Sequence, residues 1–167
     1  MNIVLELYGL IAIGATALAI TRTIPVHGLL YLVVSLLALA CMFDELGAPF
    51  AAMLEIIVYA GAIIVLFVFV VMMINLGQPD QLREKGWFAG GAWIGPGVIA
   101  ALLMGLLVYG TQRSTMAVGT AGTPIGPQQV GLTLYGPYIL TVELSSFLLL
   151  AGLVSAYHIG RRIGGKS

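Results

Sequence analysis

The chain has 167 residues, of which 60% are hydrophobic and only 8% are charged, and its formal net charge is zero. A soluble globular domain carries about 25% charged residues, so this chain cannot cover itself with a hydrated surface. The composition therefore indicates an integral membrane protein, and the lack of net positive charge argues against a nucleic-acid partner.

Five apolar runs follow one another along the chain, and each is long enough for a membrane-spanning helix. Backbone groups must be hydrogen-bonded in lipid, and the runs lack the alternation of barrel strands, so each is predicted to be helical. The first run has no basic segment before it, and we expect a retained spanning helix and not a cleaved signal peptide. The predicted helices cover residues 2–20, 27–43, 51–76, 88–110 and 138–160, and a long outer loop covers 111–137. We predict an all-α integral membrane protein with a single transmembrane domain over residues 1–167.

The seven Lys and Arg residues are distributed unevenly among the segments that connect and follow these helices. With the N-terminus outside, six of them lie on the inner side and only Arg113 lies on the outer side. Cytoplasmic segments of membrane proteins carry the excess of basic residues. We therefore predict that the N-terminus is outside and the C-terminus is cytoplasmic, which places the acidic turn with Asp44 and Glu45 outside.

Three glutamates lie within apolar runs, where an ionisable residue is a candidate for function. Glu6 and Glu143 lie near helix ends that water can reach, and Glu143 is a secondary candidate. Glu55 lies about one turn inside the third helix, with Tyr59 four residues further along the same face. None of the five runs contains Lys or Arg, so a buried Glu55 must be protonated, hydrated or paired with a base from another chain. The alternative is a hydrated, inert Glu55 at the outer membrane interface.

Gly61 interrupts the third helix with a residue that weakens a regular helix by about 1 kcal/mol relative to alanine. Alanines flank it on both sides, and a run of β-branched and aromatic residues follows. Such a junction can hold a π-bulge, or can switch between a bulged and a regular form. The alternative is that Gly61 allows close packing against a neighbouring helix.

The remaining candidate ligands for a cofactor are few. His27 and His158 fall at predicted inner helix ends, and a haem bound by both is the less favoured interpretation, because such histidines are usually solvated or act as caps. The single cysteine, Cys41, excludes an internal disulfide and a cysteine-ligated cluster. The sequence also lacks the glycine-rich, zinc-protease and serine-elbow motifs of hydride, phosphate and acyl transfer, so no catalytic or metal-binding residue is predicted.

Three segments together resemble one protein family. They are PVHGLLY at residues 25–31, the third-helix segment at 54–73, and VELSS at 142–146. The family is subunit J of bacterial proton-pumping NADH:quinone oxidoreductase, which is respiratory complex I. The third-helix segment is its specific part, and the five-helix count and the predicted orientation agree with it.

The resemblance implies a multi-pass subunit of the membrane arm in the bacterial inner membrane, with subunit K and subunits A, H and N as expected neighbours. It implies that NADH, FMN, iron–sulfur clusters and quinone bind on other subunits, so that this chain is a non-redox part of an enzyme. In the family the third helix carries a π-bulge in some states, and its change to a regular helix opens or closes a hydrated proton path towards subunit K. Carried onto this sequence, Tyr59 and Gly61 lie at the bulge and Glu55 lies one turn earlier.

We therefore expect a membrane-arm subunit that couples quinone reduction to proton translocation. Tyr59 would orient water or donate a hydrogen bond, Gly61 would permit the bulge, and Glu55 would tune the local charge. Two alternatives stay open from the sequence. One is a free-standing small proton-linked transporter or channel, against which the absence of an internal repeat weighs. The other is a purely structural membrane subunit in which the polar residues only pack.

Overall fold

The computed structural model describes residues 3–23, 25–73, 93–116 and 124–164, without the side chains of 113–116 and 162–164. Within these ranges the chain forms helices joined by short turns, and no strand occurs. The helices are α1 (Ile3–Thr21), α2 (Pro25–Glu45), α3 (Pro49–Met73), α4 (Ile94–Met116), α5 (Pro127–Leu134) and α6 (Ile139–Gly164). Among the described residues, five helices are long and apolar enough to cross a membrane, namely all except α5. The predicted all-α class and the five spans are confirmed.

The predicted helix boundaries lie within two residues of the observed ones for α1, α2 and the start of α3. The predicted end of the third helix at 76 and start of the fourth at 88 lie outside the described residues. The predicted outer loop at 111–137 differs from the structure, because α4 continues to Met116 and α5 covers Pro127–Leu134. Pro127 is in the first turn of α5, where its missing N–H costs nothing, so a proline within the predicted loop starts a helix.

The chain divides into two compact units, Met1–Pro124 and Ile125–Ser167, which are described separately. In the first unit α2 is central, because it packs against α1, α3 and α4, while α1 also packs against α4. Its core lies where α1, α2 and α4 meet and consists of Val4, Tyr8, Ala12, Ala15, Val34, Ala38 and Leu103. The α1 members recur at three- and four-residue spacing, which places them on one helix face. The core therefore lies to one side of α3.

Two hydroxyl groups join α1 to α2 inside the first unit. The Ser35 hydroxyl, in a residue that is 2% exposed, donates to the Ala12 carbonyl at 3.0 Å. The Thr16 hydroxyl donates to the same carbonyl at 2.8 Å and lies 2.7 Å from the Ser35 hydroxyl. Two hydroxyl protons serve three contacts, so two of the three contacts are hydrogen bonds at any moment. This network holds α1 in register against α2 in a region where lipid offers no competing partner.

The start of α4 approaches α2 beside Tyr31. The Arg22 Nη2 donates to the Tyr31 hydroxyl at 3.3 Å, and the guanidinium carbon lies 5.1 Å from the ring centroid, which is cation–π geometry. Tyr31 is 4% exposed, and its hydroxyl fills the space that a Cβ on Gly95 would need. A glycine at position 95 therefore lets α4 begin against the Tyr31 side chain.

The turn between α2 and α3 is short and closed by backbone hydrogen bonds. Gly47 has a φ of 80°, a left-handed conformation that glycine adopts without steric cost. Its N–H donates to the Asp44 carbonyl at 2.9 Å, and the Ala48 N–H donates to the Phe43 carbonyl at 3.0 Å. This pair of bonds is a Schellman motif, and Pro49 then starts α3 at once. The first turns of α3 are therefore fixed relative to the end of α2.

The second unit consists of α5 and α6, which pack against each other. The apolar span Ile139–Arg161 has none of its residues buried within the chain. Apolar side chains of such a helix are stable in lipid or against other apolar helices, not in water. The second unit by itself thus leaves the apolar surface of α6 uncovered.

Candidate functional site

The third helix, α3, is not a regular α-helix along its whole length. Its first part, Pro49–Leu54, and its last part, Ile64–Met73, are α-helical, and the nine residues Glu55–Ile63 between them are π-helical. A π-helix bonds each N–H to the carbonyl five residues earlier, so its turns hold more residues than those of an α-helix. At the end of this segment the Ile64 N–H points at the Tyr59 carbonyl, five residues back, and also at the Gly61 carbonyl. The three candidate residues of this helix all lie in the π-helical segment.

The exposure of side chains shows the effect of this segment on the rest of α3. Before it, Ala52 is 5% exposed in the part of α3 that packs against α2. At about 100° per residue, a regular helix would place residue 63 about 20° from Ala52 and residue 64 about 120° away. The observed burial is the reverse, because Ile64 is 4% exposed and Ile63 is 38% exposed. Beyond the π-helical segment, the buried face has therefore moved by one residue along the sequence.

Glu55 is the first residue of the π-helical segment and its side chain is half-buried. Among the residues that the structure describes, no side chain donates a hydrogen bond to its carboxylate, and no basic group lies beside it. Tyr59, four residues on, has half of its surface exposed. A carboxylate in an apolar span needs water, a proton or a base. The described part of this chain supplies no base, so that need must be met by a proton, by water, or from outside these residues.

Gly61 is half-buried near the C-terminal end of the π-helical segment. A Cβ built on Gly61 would lie 3.2 Å from the carbonyl oxygen of Ile56, the residue five positions earlier. That distance is shorter than in most real Cβ contacts, so the backbone would have to shift by a few tenths of an ångström to accept a side chain. The absence of a side chain at Gly61 thus favours the close backbone spacing found here.

The other polar candidates lie on helices other than α3. Glu6 is exposed in the first turn of α1, and Glu143 is exposed near the start of α6, in the second unit. His27 lies in the first turn of α2 and His158 near the end of α6, so the two histidines belong to different units. Within the described residues, no group of three His, Cys, Asp or Glu side chains is arranged to hold a metal ion.

Ile64 is the most buried residue of α3, and no sequence pattern marks it. It is one of ten successive apolar residues, Ile64–Met73, so composition does not distinguish it. Helical spacing from Ala52 points to Ile63 instead, because it assumes a regular helix. Tyr31 and Ser35 were also missed as packing residues, and a hydroxyl within an apolar run was the signal available for each.

Comparison with known proteins gives matches along almost the full length of the chain. Residues 15–159 match the family described as NADH-ubiquinone/plastoquinone oxidoreductase chain 6. The chain is 54% identical over 161 residues to NADH-quinone oxidoreductase subunit J of Escherichia coli (strain K12), which covers 96% of this chain and 87% of that protein. It is 53% identical over 152 residues to subunit J of Pseudomonas aeruginosa, covering 91% and 92% of the two chains. Identity to subunit J of Buchnera aphidicola subsp. Schizaphis graminum is 44% over 161 residues, covering 96% and 98%.

Proposed function

Because the chain belongs to the NADH-quinone oxidoreductase chain 6 family, as a subunit J of the bacterial enzyme, we propose that it couples quinone reduction to proton translocation through α3. Its five apolar spans make it a multi-pass membrane protein of that complex. The coupling is proposed to work through a change of shape in α3 and not through redox chemistry in this chain. In this proposal NADH, FMN, iron–sulfur clusters and quinone bind to other subunits of the complex.

The observation that carries this proposal is the one-residue displacement of the buried face of α3. The form described here has π-helical hydrogen bonds over Glu55–Ile63 and buries Ile64. A regular form of the same helix would rotate the part beyond the segment by about 100°. We propose that α3 acts as a π-bulge switch between these two forms. Residues beyond the bulge would turn, and the polar residues within it would change their neighbours.

Each polar residue of the segment has a distinct role in this proposal. Tyr59 orients water or donates a hydrogen bond to it, because the residue is half exposed and Glu55 is the other polar side chain of this segment. Gly61 permits the π-helical backbone by leaving room beside Ile56. Glu55 sets the local charge and draws water or a partner base towards the segment, since the described residues provide neither a base nor a hydrogen-bond donor. Glu143 serves as a secondary polar group on exposed α6.

The proposed setting is the bacterial inner membrane, with the N-terminus outside and the C-terminus in the cytoplasm. The five spans form one transmembrane domain, with subunit K beside α3 and subunits A, H and N as further neighbours. Extraction of native membranes with mild detergent, followed by a native gel stained for NADH dehydrogenase activity, tests this setting. The chain should be found by mass spectrometry in the large NADH-oxidising band. Migration alone or as a small oligomer would favour a free-standing proton-linked transporter instead.

Two substitutions in α3 test the switch itself. Tyr59→Phe removes only the phenol oxygen, and Gly61→Leu fills the space beside the Ile56 carbonyl. Both should lower the number of protons pumped per NADH oxidised in inside-out membrane vesicles, while the amount of assembled complex stays normal. Tyr157→Phe is the matched control, because Tyr157 is a tyrosine on α6 with 69% of its surface exposed. Unchanged pumping in both α3 variants would leave a purely structural role for this helix.

A further inference from the structure

Pairs of identical neighbouring residues recur along α3. Three of these pairs start at seven-residue intervals, namely Ile56 and Ile57, Ile63 and Ile64, and Val70 and Val71. Seven residues are about two turns of an α-helix, so members of successive pairs lie on the same face. The last two pairs, called here the doublets 63/64 and 70/71, lie at the end of the π-helical segment and beyond it.

Burial separates the two members of each doublet. In the first doublet Ile64 is 4% exposed and Ile63 is 38% exposed. In the second, Val71 is half-buried and Val70 is 43% exposed. Within the described residues, α2 is the other helix that packs against this part of α3. In the observed form the second member of each doublet is therefore the more buried one, on a part of α3 that packs against α2.

A regular α3 would present the first members instead. Residues 63 and 70 are eleven and eighteen positions after Ala52, which places them about 20° and 0° from it in a regular helix. The Schellman motif at Gly47 and the start of α3 at Pro49 hold Ala52 against α2, so the face before the bulge is the same in both forms. The change of form thus exchanges Ile64 for Ile63 and Val71 for Val70.

Each exchange replaces a side chain by an identical one. We propose that the doublets 63/64 and 70/71 let α2 accept α3 in two registers, one residue apart, with nearly equal packing. This inference rests on the proposed switch and adds the reason that its two forms are close in free energy. Packing is the main source of helix association in lipid, so equal packing leaves the choice of form to small effects within the bulge and at partner subunits.

The positions that flank the doublets differ in the two registers. Phe67 and Val68 lie about 50° on either side of the line through Ile64 and Val71, and the regular register would present Leu66 and Phe67 in these flanking positions. Both side chains are only partly covered, with 40% of Val68 and 50% of Phe67 exposed. The side chains that differ between the registers therefore lie at loosely covered flanking positions, and the tightly packed position, 64 or 63, keeps the same side chain.

The doublet 63/64 provides a matched pair of variants. Ile64→Val removes one methyl group from the side chain that faces α2 in the π-helical form, and Ile63→Val removes the same group from the one that faces α2 in the regular form. The purified, reconstituted complex is imaged by electron cryo-microscopy during NADH turnover, and particles are sorted by the form of α3. Ile64→Val should lower the ratio of π-helical to regular particles about two- to tenfold, and Ile63→Val should raise it by a similar factor.

The outcomes separate this inference from the proposed function. Shifts of the ratio in opposite directions support the two-register packing, and the Val70→Ala and Val71→Ala pair should repeat them. If wild-type particles show both forms of α3 but the two variants shift the ratio in the same direction or not at all, the doublet proposal is overturned and the proposed switch is retained. A single form in every variant overturns both. Opposite shifts with unchanged proton pumping support the doublets and overturn the role of the switch in coupling.

Discussion

Gly61 and the carbonyl group of Ile56 lie so close that a Cβ at position 61 would be 3.2 Å from the carbonyl oxygen. The two residues are five apart, which is the hydrogen-bond spacing of a π-helix. A regular α-helix pairs residues four apart, so this close approach belongs to the form of α3 described here. The identity of residue 61 therefore bears on the balance between the two forms.

Gly61→Ala should move α3 towards the regular helix. In the π-helical form the new Cβ would lie 3.2 Å from the Ile56 carbonyl oxygen, so alanine should disfavour that form. A penalty of about 1 kcal/mol changes a two-state ratio about fivefold. Proton pumping per NADH oxidised, measured in inside-out vesicles, should fall while NADH oxidation by the complex persists. The control is Gly105→Ala in α4, where a new Cβ would have no atom of this chain within 4 Å. An equal loss in both variants would show that Gly61 has no special role.

Glu55→Gln should reduce coupled proton pumping without reducing the amount of assembled complex. The change keeps the shape of the side chain and removes its ability to carry a charge. Glutamine is neutral whatever the state of Glu55, so the change adds no charge to the apolar span and assembly should not suffer. Glu6→Gln, at an exposed position in the first turn of α1, is the control and should pump normally. Normal pumping by the Glu55 variant would place that carboxylate outside the proton path.

Gly95→Ala should destabilise the first unit by about 1–3 kcal/mol, because the new methyl group needs space that the Tyr31 hydroxyl fills. The loss is measured as a lower temperature of thermal inactivation of the purified complex. Gly97→Ala in α4 is the control, because a Cβ at position 97 would have no atom of this chain within 4 Å. This change should leave the inactivation temperature unchanged or raise it. The double variant Gly95→Ala/Tyr31→Phe should lose less stability than the sum of the losses of the two single variants, because phenylalanine lacks the hydroxyl that occupies the space of the new methyl group. Additive costs would contradict the contact.

Ser35→Ala should lower the stability of the first unit slightly, and Ser35→Leu should lower it strongly. The interhelical hydrogen bond from Ser35 to the Ala12 carbonyl is worth about 0.6 kcal/mol on average for such bonds in membranes. Leucine adds bulk at a position that is 2% exposed between α1 and α2, where overpacking costs about 1–3 kcal/mol. The amount of this chain in native membranes, measured by quantitative mass spectrometry, should follow that order. A larger loss for alanine than for leucine would show that the hydrogen bond outweighs the close packing.

The spans and the candidate segment could be predicted because lipid imposes strict rules on both. Unpaired backbone is not tolerated there, so an apolar run near 20 residues becomes a helix. For the same reason Glu55 and Gly61, which anchoring does not require, stand out within the run that contains them. The structure places both, together with Tyr59, in the segment Glu55–Ile63. The functional roles of these residues stay predictions.

Contacts between helices could not be predicted in the same way. The fit of Tyr31 beside Gly95 joins residues 64 positions apart, and no local pattern marks it. Helical spacing selects Ile63 as the buried residue, whereas the π-helical segment buries Ile64. Such a segment changes the period on which the prediction depends. Helix α5 was missed because glycine and proline mark loops and helix starts alike.

The turn at Leu46, Gly47 and Ala48 also has a consequence for biosynthesis. Three residues cannot cross a bilayer, so the end of α2 and the start of α3 must stay at the same membrane surface throughout insertion. The two helices therefore enter the membrane together as a hairpin. The newly made chain therefore never has to expose α3 alone to lipid on every side, and with the proposed outward N-terminus the carboxylate of Glu55 would cross with α2 alongside.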